Sequence, residues 1–328
     1  MQERETPMEV AMRFMKSRVI LTAAELDLFT CIQDCPSTAE ELADKLGLDL
    51  RAVTRLLDTL VTLDLLEKTD NRYICTETGA ILSSTHKTTI LPMILHLNGL
   101  WDTWSYLTET IRKGKNPHKD LSIRRDEQRQ KAFIGAMHVV GRQLSREIAD
   151  FLDLTPYKKL LDLGGGSGTY TIAFLEKNPE MTAVVFDLDY AIPPARERLA
   201  EAGLLDRVEF KSGDFHVDAL PEGCDLALLS AIIHQNSPEQ NVTLVQKVYR
   251  ALEPGGVVLI RDHIMDTSRT DPPDGALFAL NMLLNTESGD TYTYDEVKSA
   301  LEKAGFLNVR MVRKGERMDC LVEAEKPV

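Results

Sequence analysis

One stretch limits the fold of this chain more than any other. It is an apolar run, Leu160-Leu161-Asp162-Leu163, that breaks into Gly164-Gly165-Gly166-Ser167-Gly168 and resumes as the helical segment TYTIAFLEKN. A strand, a glycine turn and a helix in that order begin a doubly wound sheet. The texture then repeats. TAVVFDLD reads as a second strand before the helix IPPARERLAEAG, and RVEFKSGDF as a third. CDLALLSAIIH reads as a fourth before a helix through PEQNVTLVQKVYRAL, and VVLIRDHIM as a fifth after an EPGG turn. A late helix, TYDEVKSALEKAGF, precedes final strands at NVRMVRK and DCLVEAEK. Strands alternating with helices predict an α/β fold, a parallel sheet covered on both faces.

The front of the chain has a different texture. Apolar residues at helical spacing (Met12, Met15, Val19, Ile20, Ala23, Leu26) predict one amphipathic helix over 8–30. Thr38 followed by Glu41 forms a capping box that opens a second helix, which Gly47 closes. Residues 51–64 predict another, burying Val53, Leu56, Leu57, Leu60 and Leu63. Leu65–Lys68 and Arg72–Thr76 flank Asp70-Asn71 and predict a two-stranded wing. The result is a winged-helix pattern. Residues 90–150 read as helical, interrupted at Gly114–Pro117. The predicted organisation is a winged-helix domain at 1–100, a helical linker and pocket region at 101–155, and the α/β domain at 156–328.

Charge decides what the winged pattern is for. The candidate recognition helix carries Arg51 and Arg55 against Asp58 and Asp64, so it lacks the positive face that a groove reader needs. The whole chain carries 38 Lys+Arg against 51 Asp+Glu, a net charge of -13, which opposes nucleic-acid or anionic-membrane partners. Protein–protein contact is the expected role. No apolar run approaches the roughly 20 residues needed to span a bilayer, and the charged N-terminal stretch does not read as a signal peptide. Five scattered cysteines suit a reducing cytoplasm better than a disulfide framework.

In a doubly wound sheet the ligand crevice lies beyond the carboxyl ends of the strands. Glycines at 164, 166 and 168 are spaced G-x-G-x-G, whereas a dinucleotide fingerprint needs Gly or Ala where Thr169 stands. The spacing leans away from NAD. Asp187 ends the second strand about 20 residues after the glycines, where a carboxylate can accept both ribose hydroxyls. Asp214-Phe215 ends the third strand, offering a carboxylate and an aromatic face to an adenine. His234 follows the fourth strand. An imidazole there can take the proton from a hydroxyl as a new bond forms at oxygen. No third ligand converges with Asp187 and Asp189, or with Asp262 and His263, so no metal site is expected.

The succession LLDLGGGSG, VVFDLD, SGDF, IIH and ALEPGGVVLIRD resembles the S-adenosylmethionine-dependent methyltransferases. More narrowly, the chain is similar to the small-molecule O-methyltransferases typified by the caffeic acid and acetylserotonin enzymes, over nearly its whole length. That resemblance implies a Rossmann-like class I methyltransferase sheet behind a winged-helix dimerisation domain, acting as a homodimer on a small, hydroxylated aromatic acceptor. It implies S-adenosyl-L-methionine as cofactor, held by Asp162, Gly164, Gly166, Gly168, Asp187, Asp214, Phe215 and Ser230. It makes His234 the general base, oriented by Asp262, and sets Met137, Phe133, Trp104, Asn281 and Met282 around the acceptor. The chain departs from the family pattern at Thr291, where a glutamate is common. It departs again at Gln235-Asn236 after the base, and at Ser230 where some members carry lysine. Those departures keep open a relative that binds the cofactor without methylating, of hydroxylase or cyclase type; a winged-helix DNA-binding regulator is the remaining alternative.

Overall fold

The computed structural model describes residues 5–118 and 127–328. The chain divides into two compact units, Met1–Asp102 with Lys131–Val139, and Thr103–Gln130 with Val140–Val328. The part of the expected 90–150 helical region that falls on 119–126 lies outside the described residues.

The first unit begins with α1 (Pro7–Glu25) and α2 (Leu28–Asp34). The single helix expected over 8–30 is therefore two. The break falls at Leu26-Asp27, where Asp27 adopts a left-handed φ of 53°. Neither Gly nor Pro marks it. Turning there sends Leu28, Phe29 and Ile32 into a core with Ala23, Leu42, Val53, Leu57, Leu60 and Tyr73, and burying those side chains outweighs the local backbone cost. α3 (Ala39–Leu46) and α4 (Leu50–Thr62) follow, then the antiparallel hairpin of β1 (Leu66–Thr69) and β2 (Arg72–Cys75). Asp70 and Asn71 both take positive φ, as a tight two-residue hairpin turn demands. Glu41 completes the capping box of α3 and also receives both guanidinium nitrogens of Arg72 at 2.9 Å, tying helix to hairpin. α5 (Glu77–Ala80) and α6 (Leu91–Ser105) complete this part of the chain. On α1, Met8, Val10, Met12, Phe14 and Met15 are all exposed.

The second unit contains α7 (Leu107–Lys113) and most of α8 (Glu127–Phe151), then the sheet and its helices. Its elements are β3 (Lys159–Leu163), α9 (Thr169–Lys177), β4 (Thr182–Asp187), α10 (Ile192–Glu201), β5 (Val208–Ser212) and β6 (Cys224–Ser230). α11 (Pro238–Ala251), β7 (Leu252–Asp262), β8 (Ile264–Met265), α12 (Pro273–Asn285) and β9 (Tyr292–Thr293) follow, before α13 (Tyr294–Ala304), β10 (Leu307–Arg313) and β11 (Cys320–Glu325). Seven strands form one sheet in the order β10-β11-β7-β6-β3-β4-β5. β3 to β7 are mutually parallel, but β11 runs antiparallel to β7, and β10 antiparallel to β11. The parallel sheet expected from strand–helix alternation is present in β3 to β7, and the last two strands extend it in the antiparallel sense. The reason is local: residues 314–319 are too few for a crossover, and a short link joins antiparallel neighbours.

Strand pleating sorts side chains between two cores. Leu161, Leu163, Ala227, Leu229, Val258 and Ile260 face the core that includes α11 and α13. Leu160, Leu226, Leu228, Val257 and Leu259 face the one that includes α9 and the end of α8. By the same alternation Asp262 belongs to the first face, and Ser230, Arg261 and Asp162 to the second. Among the described residues, no helix is long and apolar enough to cross a membrane.

Candidate active site

At the carboxyl end of β3 the turn takes φ of 67° at Gly164, 51° at Gly166 and 72° at Gly168, the left-handed region that glycine tolerates. Gly164 is also fixed by packing, since a Cβ there would lie 2.4 Å from Ile232 Cδ1. At Gly166 a Cβ would meet nothing nearer than the Gly164 carbonyl at 3.7 Å and Asp187 at 3.8 Å. A Cβ over Gly166 would thus meet only ordinary contacts, and its absence lets backbone approach a ligand closely there. Asp187 closes the turn from β4: its Oδ2 accepts the Gly166 N–H and its Oδ1 the Leu188 N–H, each at 2.7 Å. Burial raises its pKa.

Asp162 lies beneath the turn, buried, with Oδ2 accepting the Thr171 hydroxyl at 2.6 Å. Burial, helped by the charge of Asp187, pushes its carboxyl up to about 6. Asp214 accepts the His216 N–H at 2.9 Å. Phe215 sits within ordinary contact of the Gly164 position, its carbonyl held by Lys247 Nζ at 2.8 Å. The glycine turn, Asp162, Asp187 and Phe215 thus converge on one edge of the sheet.

Beyond β6 the chain turns through Ala231, at a φ of 61°, into a short 3-10 turn carrying His234. The turn is held from several sides. The Ala231 N–H donates to the Arg261 carbonyl at 2.8 Å, and the His234 carbonyl accepts the Asp290 N–H at 3.0 Å. Asn241 donates to the Ile233 carbonyl and accepts from Asn236, whose own carbonyl receives the Tyr292 hydroxyl. Gly289 presses so closely that a Cβ would lie 2.3 Å from the His234 carbonyl.

His234 Nδ1 lies 2.9 and 3.0 Å from the two oxygens of Asp262, at the end of β7. Both residues are buried. Complete burial of Asp262 raises its pKa, but the charge and hydrogen bond of His234 outweigh that and hold it below the ordinary carboxylate value. The His263 N–H gives the same carboxylate a further bond at 2.8 Å. With Nδ1 engaged, Nε2 is the nitrogen left to take a proton.

Phe278, on α12, meets the His234 ring edge-on at 4.9 Å and the His263 ring at 5.2 Å. Of the five acceptor-side residues expected, three lie in this unit. Trp104 Nε1 donates to Asn281 Oδ1 at 3.0 Å, and Met282 is buried on the same helix. Phe133 and Met137 lie on α8 within the first unit, where Phe133 meets His96 edge-on at 5.4 Å and Met137 is half-buried. Ser230 accepts Arg261 Nε at 2.7 Å. Arg261 and Tyr170 have no sequence signal, because cross-strand register and helix packing place them here, and the sequence weighs His263 only as a metal ligand. Thr291, where a second acid was sought, is buried, and its carbonyl accepts Arg269 Nη1 at 2.8 Å. Among the described residues no cluster of His, Cys, Asp or Glu is arranged to hold a metal ion.

Residues 104–307 match the model of the O-methyltransferase domain, and residues 8–85 that of the O-methyltransferase dimerisation domain. The chain is 32% identical over 310 residues to the tetracenomycin polyketide synthesis 8-O-methyl transferase of Streptomyces glaucescens, covering 92% of this chain and 91% of that one. It is also 32% identical over 327 residues to acetylserotonin O-methyltransferase of Gallus gallus, covering 94% of each. The crystal structure of human N-acetylserotonin methyltransferase in complex with SAM shares the fold, with a TM-score of 0.84 at 24% identity and full coverage of both chains.

Proposed function

Because this chain belongs to the O-methyltransferase family, we propose that it moves the methyl group of S-adenosyl-L-methionine to the hydroxyl of a small aromatic acceptor, with His234 as general base. The buried His234–Asp262 pair carries this reading, set one strand and one turn from the glycine turn. The residues present fit the cofactor. Gly166 leaves room for close backbone approach, Asp187 offers a carboxylate to ribose hydroxyls, and Phe215 offers an aromatic face beside the turn. Asp162, Gly164, Gly168, Asp214 and Ser230 complete this binding edge.

When bound, the cofactor supplies an electrophilic methyl on a sulfonium. The chain's own work is to hold and deprotonate. Asp262 fixes the imidazole through Nδ1, so that Nε2 takes the phenolic proton as the oxygen attacks in line. The His234 cation that results is stabilised by the carboxylate it already touches. Phe278, Trp104, Asn281 and Met282 are assigned to the acceptor. Holding both reactants in line supplies much of the rate, since little charge need be created along the path.

Supporting this reading of the assembly, the exposed Met8, Met12, Phe14 and Met15 of α1 lie in the segment that matches the dimerisation domain, so the enzyme is assigned as a homodimer through that domain. Five free cysteines suit a reducing cytoplasm. The deciding experiment is transfer of labelled methyl to a phenol panel by wild type and by His234→Ala, with cofactor affinity measured in parallel. Loss of transfer with affinity retained supports the proposal. Tight cofactor binding by wild type without transfer to any phenol would favour the non-methylating reading, which Gln235 and Thr291 motivate.

A further inference from the structure

We infer that Asn241, on α11, and Tyr292, on β9, are positioning residues for the base: with Asn236 they clamp the short turn that carries His234 and so fix the direction of its imidazole. The inference rests on the general-base reading above and deepens it. It says how this chain holds the base where its sequence departs from the family pattern.

The imidazole needs such a support. Among the described residues, Asp262 supplies the only carboxylate that reaches it, through Nδ1. The second acid common in the family is Thr291 here. One partner at one ring nitrogen leaves the direction of the ring to the backbone beneath it. That backbone is weak by itself. It is a 3-10 turn of three residues, Ile233–Gln235, entered through Ala231 at a left-handed φ of 61°. The turn's own bonds run from the Gln235 N–H to the Ile232 carbonyl and from the Asn236 N–H to the Ile233 carbonyl, at 3.1 and 3.3 Å. Such turns have poor hydrogen-bond geometry, and a left-handed alanine is strained.

Donors from other elements make up the difference. The Ile233 carbonyl accepts Asn241 Nδ2 at 2.9 Å, the His234 carbonyl accepts the Asp290 N–H at 3.0 Å, and the Asn236 carbonyl accepts the Tyr292 hydroxyl. Asn236 Nδ2 donates in turn to Asn241 Oδ1 at 3.0 Å, which closes a ring of bonds around residues 233–236. The clamp is itself anchored. Asn241 follows directly on the capping box of α11, made by Ser237 and Gln240, and Tyr292 precedes that of α13, made by Thr293 and Glu296. Burial holds the Tyr292 phenol above its ordinary range, so it stays a donor.

Asn236, Asn241 and Tyr292 are all buried, beside the core face that contains Ile233, Leu244 and Val245. Apolar side chains would fill such a place at less cost, since a buried amide is unfavourable unless its bonds are made. Asn236 Oδ1 makes none. What the amides add is one defined arrangement of the turn, because their bonds form in a single geometry. A shift of about 1 Å at a reacting group can cost on the order of 10²-fold in rate, so that arrangement matters most where the base acts.

The test uses two phenols, one protonated and one already ionised at the assay pH, with cofactor affinity measured by calorimetry on the full chain. His234→Ala is the reference. It should lose far more on the protonated phenol than on the ionised one, because only the first needs a base. Asn241→Leu and Tyr292→Phe should show the same selectivity. Their kcat on the protonated phenol should fall by roughly 10- to 100-fold, while the ionised phenol and cofactor affinity stay within about 3-fold of wild type. Tyr292→Phe removes one hydroxyl at nearly constant shape, so it reads the clamp even if Asn241→Leu does not fold. Equal losses on both phenols, or full turnover in folded variants, overturn the positioning role and leave the base standing. A His234→Ala enzyme that loses both phenols equally overturns the base itself, and absence of transfer by wild type overturns the function proposed above.

Discussion

Two carboxylates at the ends of two strands, Asp162 on β3 and Asp262 on β7, are both removed from water, and their acidities move in opposite directions. Asp162 has a neutral partner, Thr171, and another acid, Asp187, nearby; burial dominates, and its carboxyl rises to about 6. Asp262 has a histidine across 2.9 Å and falls below its ordinary range although it is no less buried. Burial therefore does not set the charge of a strand-end acid in this sheet. The partner does, and strand parity selects the partner by turning each side chain to one face or the other.

The strongest way to break this comparison is to uncouple the β7 acid from its base. Asp262→Asn should lower kcat by about 10²- to 10⁴-fold, because the imidazole loses its orientation and the partner for its positive charge. Cofactor affinity should stay near wild type, so a matching loss in Kd would show that Asp262 acts through the binding edge instead. Asp262→Ala should also cost about 3–5 kcal/mol of stability at pH 7, as one partner of a buried pair is removed. Chemical denaturation reads this directly. Because the folded pKa of Asp262 lies below its unfolded value, its contribution is present above about pH 4 and is lost as the pH falls through the folded value. The difference between variant and wild type should therefore shrink in acid.

Asp162 should show the reverse. Its folded pKa of about 6 exceeds the unfolded value, so the native state holds an extra proton between roughly pH 4 and 6. Stability contributed by this group falls as the pH rises through that window. Asp162→Asn, which keeps an acceptor for Thr171, should be about 1–3 kcal/mol more stable than wild type above pH 7, with the gap closing below pH 4. Thermal unfolding at pH 4 and 7.5 tests the sign; a gap that widens in acid refutes it. The smallest effect is expected at the glycine turn. Gly166→Ala should cost about 1 kcal/mol of stability for its left-handed φ, since its Cβ would meet only ordinary contacts, yet should weaken cofactor binding measurably. An alanine variant with unchanged affinity would separate Gly166 from the site.

Most of the sheet is legible in the sequence because its signals are local. The glycine run, the strand end at Asp187 and the capping box at Thr38–Glu41 each sit within a few residues, where spacing alone fixes conformation, whereas the third strand stops at Ser212, two residues short of the expected end at Asp214. The split between α1 and α2 is not legible, since Asp27 is an ordinary residue whose left-handed turn is imposed by the burial of Leu28 and Phe29. The reversal of β10 and β11 depends on a link too short for a crossover, which helical and strand periodicity do not report. The site divides the same way. His234 and Asp262 are visible as strand-end residues, and Asp162 is visible as an acid before glycines, but its raised acidity comes from a packing environment that no motif encodes. Phe278 shares helical spacing with Asn281 and Met282 and is legible as a pocket candidate, but Arg261 beside Ser230 and Tyr170 is a product of register and helix docking that a linear reading passes over.

The antiparallel closure at β11 has a consequence for how the enzyme comes into being. Cys320 pairs with Asp262, so the strand that bears the acid receives its second neighbour only from residues made long after it. While a ribosome is still adding 263–319, β7 can pair on one side alone, leaving an open margin that invites foreign strands. The carboxylate that holds His234 is thus laid down early and locked late, and in a nascent chain this seam is where chaperone attention or misassembly should concentrate.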